Sequence, residues 1–87
     1  MPARATSVRD EVQRLLRQQP FRPFILSLEN GDRLTVGHPE NIAFDPAADE
    51  SHPGWGEFYV ISGPMRFFGV FDAVTSVNLQ DPRQNGG

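Results

Sequence analysis

The stretch Phe24-Ile25-Leu26-Ser27-Leu28-Glu29-Asn30-Gly31-Asp32-Arg33-Leu34-Thr35-Val36 decides the fold of this chain. Phe24, Leu26 and Leu28 alternate before a turn signal, and Leu34 and Val36 alternate after it. That is the period-2 pattern of two half-buried strands. Loop length then determines which faces coincide. A two-residue Asn30-Gly31 loop would pair Leu28 with Arg33 and put the two apolar sets on opposite faces, because a one-residue shift flips every side chain. A three-residue Glu29-Asn30-Gly31 loop pairs Leu26 with Leu34 and Phe24 with Val36, so the hairpin gains one apolar face. It also needs a left-handed residue, which Gly31 supplies without steric cost. The three-residue loop is therefore expected.

Upstream, Ser7 and Asp10 have the spacing of a capping box, and Val8, Val12, Leu15 and Leu16 form one apolar helical stripe. This pattern predicts a helix over 7–19 after a flexible lead-in, 1–6. Pro20 ends it, and Phe21-Arg22-Pro23-Phe24 forces an extended approach to the first strand. Downstream, the second strand is expected to bend at Gly37-His38-Pro39 and continue to Phe44. A long loop follows to Gly56, then strands over 57–62, 65–71 and 74–79, and a disordered tail over 80–87. The expected fold is mainly β with one N-terminal α-helix, as a small, strongly bent five-stranded antiparallel barrel in a single domain, 7–79.

Composition bounds what such a fold can do. Eighty-seven residues make one domain near the lower size limit for a self-supporting core, and with no cysteine neither a disulfide nor a thiolate metal site reinforces it. Self-association is the remaining way to bury surface. No apolar run is long enough to span a bilayer, and Arg4, Arg9 and Asp10 interrupt any secretory h-region, so a cytoplasmic location is expected. The net charge is −3, whereas dedicated nucleic-acid binders usually carry a basic surplus. All the basic residues are arginine, and Arg4, Arg9, Arg14, Arg17 and Arg22 crowd the first quarter of the chain. Between Leu34 and Met65 there are only acidic charges, at Glu40, Asp45, Asp49, Glu50 and Glu57. Two solvated surfaces, a complementary contact between subunits, and an anion site at the basic end all fit this polarity.

Catalytic patterns are absent. The five serines have no motif that supplies a base, Gly54-Trp55-Gly56 lacks the lysine and helix of a phosphate loop, and no paired carboxylates face each other on regular elements. His52 with Asp49 and Glu50 could hold a metal ion, but lies in a loop that does not orient ligands; His38-Pro39-Glu40 better suits a strand bend. Neither an enzyme, a metal nor a cofactor is expected. Trp55, between glycines, is either a lid over the barrel end or an exposed hot spot. Phe58, Tyr59, Phe67, Phe68 and Phe71 are too many aromatics for one face of so small a sheet, and adjacent Phe67 and Phe68 point to opposite faces. Trp55, Phe68 and Phe71 are therefore the candidate protein-interaction residues.

Leu26-Ser27-Leu28-Glu29-Asn30-Gly31-Asp32-Arg33-Leu34 resembles the first motif of the Sm-like proteins, especially the bacterial host-factor RNA chaperones. Val60-Ile61-Ser62-Gly63 and Val70-Phe71-Asp72-Ala73-Val74-Thr75-Ser76-Val77 resemble their later strands, and the helix with Leu15-Leu16-Arg17 sits in the corresponding place. Pro20-Phe21-Arg22-Pro23-Phe24, Asn30-Gly31-Asp32-Arg33 and His38-Pro39-Glu40 resemble a group of small uncharacterised bacterial proteins. The Sm-like resemblance implies an Sm-like or SH3-like barrel, a homo-oligomeric ring joined through edge strands, and single-stranded RNA binding. It implies a turn glycine at Gly31 and a basic contact at Arg33, with Arg66, Arg14 and Arg17 as further candidate RNA contacts. Ser27 stands where that RNA face has a stacking aromatic, and Asp72 where the other face has a basic residue. Two readings result: a self-assembling RNA-binding module, or a homo-oligomeric protein-interaction scaffold that ignores nucleic acid.

Overall fold

A computed structural model describes residues 3–45, 51 and 54–80. It comprises helix α1 (Ala3–Arg17), then strands β1 (Phe24–Leu28), β2 (Arg33–Val36), β3 (Ile42–Ala43), β4 (Glu57–Ser62), β5 (Met65–Val70) and β6 (Val74–Leu79). Short 3₁₀ turns at Pro39–Asn41 and Phe71–Ala73 precede β3 and β6. The fold is thus mainly β with one N-terminal helix.

The hairpin has the register that gives it a single apolar face: Phe24 pairs with Val36 and Leu26 with Leu34. The Gly31 amide donates to the Leu28 carbonyl at 3.0 Å, and the Leu28 amide to the Asp32 carbonyl at 2.8 Å, closing a three-residue loop. Gly31 has φ +93°, the left-handed conformation this loop requires. Asn30 stiffens the turn by accepting from the Asp32 amide at 2.8 Å.

Several boundaries differ from expectation, among them the end of β5, at Val70 rather than Phe71. The helix begins at Ala3 and ends at Arg17, so Ser7 lies within it rather than capping it, and residues 3–6 are helical rather than a flexible lead-in. Ala5 thereby joins Val8, Val12 and Leu15 on the buried stripe. The second strand does not bend through continuously: His38 caps the 3₁₀ turn, its Nδ1 accepting from the Glu40 amide at 3.3 Å, and the turn separates β2 from β3. Among the described residues there are consequently six strands rather than five, in two antiparallel sheets ordered β2-β1-β6 and β3-β4-β5. Finally, Gln80 is tied down, its amide donating to the Pro23 carbonyl at 2.9 Å. The rest of the expected tail lies outside the described residues.

One core fills the space between both sheets and the helix. Phe24, Leu26, Leu34, Val36, Val60, Phe71 and Val74 are fully buried in it. Phe71 sits at its centre, its ring 4.9 Å from Phe58 and 5.3 Å from Phe44. It was expected at a protein-interaction surface; the 3₁₀ turn instead drives it inward, leaving no face for a partner. The two sheets also touch directly, where the Thr35 amide donates to Ser62 Oγ at 3.2 Å.

Two substitutions test this packing. Phe71→Ala should lower unfolding free energy by about 3–5 kcal/mol, read by urea denaturation. Gly31→Ala should cost about 1–2 kcal/mol through backbone strain alone, without altering the native circular dichroism.

Candidate functional site

Alternation along β4 and β5 sorts their side chains into two sets. Phe58, Val60 and Phe67 turn inward, while Tyr59, Phe68 and Val70 are left exposed on the outer face. Gly69 is part of this arrangement: a Cβ there would collide with the Phe67 ring that lies over it. On the outer face Tyr59 and Phe68 are cross-strand partners, with centroids 6.5 Å apart in an edge-to-face arrangement. Phe68 is 67% exposed, which is unusual for so large an apolar side chain.

Beside this pair lies a groove of about 410 Å³ bordered by Phe44, Asp45, Glu57, Tyr59 and Phe68. Phe44 and Ala43 also border a second groove of about 210 Å³, shared with Leu16 and Arg17 of α1. Arg17 in turn borders a third, of about 460 Å³, with Arg14 and Asp10. The three adjoin through shared walls. They make one band running from the basic end of the helix, over β3, to the aromatic face of β4 and β5.

The inner wall of the band is held by an arginine that patterning overlooked. Arg9 is the one buried charged residue among those described. Its guanidinium lies 5.5 Å from the Phe44 ring centroid and 5.4 Å from that of Trp55, and donates to the Asp45 carbonyl at 2.6 Å. Planar, weakly hydrated guanidinium suits such a stacked, buried position better than an ammonium would. Arg9 thus ties α1 to both ends of the connection between β3 and β4. Trp55 folds inward as a lid and is not an open hot spot, since only 9% of it is exposed. The signal for Arg9 was its place four residues after Ala5 and three before Val12, on the flank of the buried stripe.

The candidate RNA contacts come from separate elements. Gly31 and Arg33 are exposed at the β1–β2 turn, and Arg66 is exposed on β5 opposite Ile61. Arg14 and Arg17 are on α1, where Glu11 holds Arg14 through a close ion pair and an Nε–Oε1 hydrogen bond of 3.2 Å. That hydrogen bond lowers the Glu11 pKa below its ordinary value and raises that of Arg14. Arg4, likewise exposed, bridges to Glu29 at 2.8 Å and to the Asp72 carbonyl at 3.2 Å. His52, Asp49 and Glu50 lie outside the described residues, and among the described residues no three His, Asp or Glu side chains converge on a metal-sized space. No helix among them is long and apolar enough to cross a membrane. No family model, curated protein or solved structure matches the chain.

Since Trp55 is the only tryptophan, its emission reports on the Arg9 contact. Arg9→Ala should red-shift it and cost about 2 kcal/mol of stability. Arg9→Lys, which keeps the charge but not the plane, should fall between the two.

Proposed function

We propose that this chain is a non-enzymatic, Sm-like binding module of the cytoplasm that self-assembles through its edge strands and serves as a protein-interaction scaffold. The observation that carries the reading is β5. Its inner side pairs with β4 along the whole strand, while its outer side has no partner among the described residues. Met65 at its start and Val70 at its end are 46% and 45% exposed. An apolar edge strand in this state is a template for pairing with another chain. The other sheet offers a second such edge at β6, where Leu79 is exposed. Pairing β5 of one copy with β6 of the next is a heterologous contact, which closes into a ring if the rotation per subunit allows.

The Sm-like barrel is the finer form of the same reading. The chain passes from β2 to β3 through a single 3₁₀ turn, and β2 touches β4 through Thr35 and Ser62. Taken in sequence, β6-β1-β2 and β3-β4-β5 are then two halves of one strongly bent sheet whose free edges are β5 and β6.

Single-stranded RNA is the second reading, favoured by the exposure of Arg33 and Arg66. Against it stand the Glu11–Arg14 ion pair, the exposed carboxylate at Asp72 and the absence of an aromatic at Ser27. Missing one stacking platform forgoes about 1–3 kcal/mol per base.

Size-exclusion chromatography with light scattering, followed at 260 and 280 nm, tests both. The scaffold reading expects an oligomer with a protein-like absorbance ratio, reduced in size by Val70→Lys on the edge strand. A monomer at every concentration would sink it. Co-purifying nucleic acid that is lost with Arg33→Ala, or released steeply by salt, would establish the RNA reading in its place.

A further inference from the structure

We propose that Asn30-Gly31 is a latent deamidation site gated by the β1–β2 turn. When the turn opens, the Gly31 amide attacks the Asn30 side chain and converts it to aspartate and isoaspartate. The site stands apart from the scaffold reading and does not depend on it.

Three observations meet at this dipeptide. Asn30, Gly31 and Asp32 are all exposed at the tip of the hairpin, so water and hydroxide reach them. Gly31 has no side chain, and nothing beyond its chain neighbours comes within 4 Å of where a Cβ would stand. The Asn30 carboxamide is already polarised. Its Oδ1 accepts from the Asp32 amide at 2.8 Å, and its Nδ2 donates to an Asp32 carboxylate oxygen at 3.0 Å.

Water is the only co-reactant needed. The Gly31 nitrogen gives its proton to hydroxide and forms a bond to Asn30 Cγ. Negative charge then develops on Oδ1, where the Asp32 amide donates. The Cγ–Nδ2 bond breaks, and the nitrogen takes up a proton and leaves as ammonia, closing a five-membered succinimide. Water opens that ring at either carbonyl. Cleavage of the Cγ–N bond yields aspartate, and cleavage of the original peptide C–N bond yields isoaspartate. The sum is one amide and one water converted to one acid and one ammonia.

In the closed hairpin the nucleophile is withheld. The Gly31 amide donates to the Leu28 carbonyl at 3.0 Å, a bond that retains its proton and fixes its plane. That same bond helps close the three-residue loop, so the chemistry waits for local opening. The product acts back on the fold. Isoaspartate routes the main chain through the former side-chain carbon and adds one atom to the loop. The lengthened loop cannot make both Gly31–Leu28 and Leu28–Asp32 hydrogen bonds, on which the pairing of Leu26 with Leu34 depends.

Peptide mapping of the full chain by mass spectrometry, during incubation at neutral pH, tests the gate. The readout is the amide-to-acid mass shift at Asn30, with isoaspartate identified by enzymatic methyl transfer. The native chain should convert at least about tenfold more slowly than the same chain in denaturing urea. Asp32→Ala, which removes the Nδ2 partner at the surface, should raise the native rate at least about threefold relative to its own rate in urea. Unchanged Trp55 emission shows that this variant is folded. The isolated isoaspartyl chain should unfold at lower urea than the unmodified one. Absence of conversion in urea would overturn the site, and a native rate equal to the denatured rate would overturn the gate. An isoaspartyl chain with an unshifted urea midpoint would overturn the link to the hairpin register.

Discussion

Burial of Phe71 between Phe58 and Phe44 anchors, in the core, the turn that carries the chain from one sheet to the other. The 3₁₀ turn carrying it is a junction in hydrogen bonds as well as in packing. The Phe71 amide donates to the Gly56 carbonyl at 2.7 Å, and the Glu29 amide to the Ala73 carbonyl at 2.9 Å. Arg4 reaches the Asp72 carbonyl from the helix. One short turn therefore holds α1, the β1–β2 turn and the start of β4 in a common frame. A chain of this size, without cysteine, has few other means of making two three-stranded sheets and a helix cooperate.

That frame has a functional consequence. With Phe71 and Trp55 drawn inward, the aromatic surplus of β4 and β5 is divided. Phe58, Phe67 and Phe71 serve the core, while Tyr59 and Phe68 remain outside. Arg9 keeps the division in place by filling the corner between Phe44 and Trp55, where an apolar side chain could not also bond the Asp45 carbonyl. The outer face is thus a product of core packing, and its exposed rings are the residue of a core already full.

Charge follows the same geometry. The arginines concentrated at the start of the chain do not act as a block: Arg9 is consumed by the core, Arg14 by Glu11 and Arg4 by Glu29. Arg17 borders a groove that Asp10 also lines, and Arg22 is exposed beyond the helix.

The sequence by itself determined the hairpin and its register, because only a three-residue loop aligns Phe24, Leu26, Leu34 and Val36 on one side, and only glycine takes φ +93° at no cost. It determined the spans of β4 and β6 and the opposite facing of Phe67 and Phe68, since these depend on local alternation. The tertiary structure alone decided that Phe71 and Trp55 are buried, that Arg9 is stacked, and that the second strand breaks into β2 and β3. Each of those outcomes rests on partners far apart in sequence, such as Arg9 with Trp55 or Phe71 with Phe44. Periodicity describes which side a residue takes on its own element and carries no information about what that side will meet.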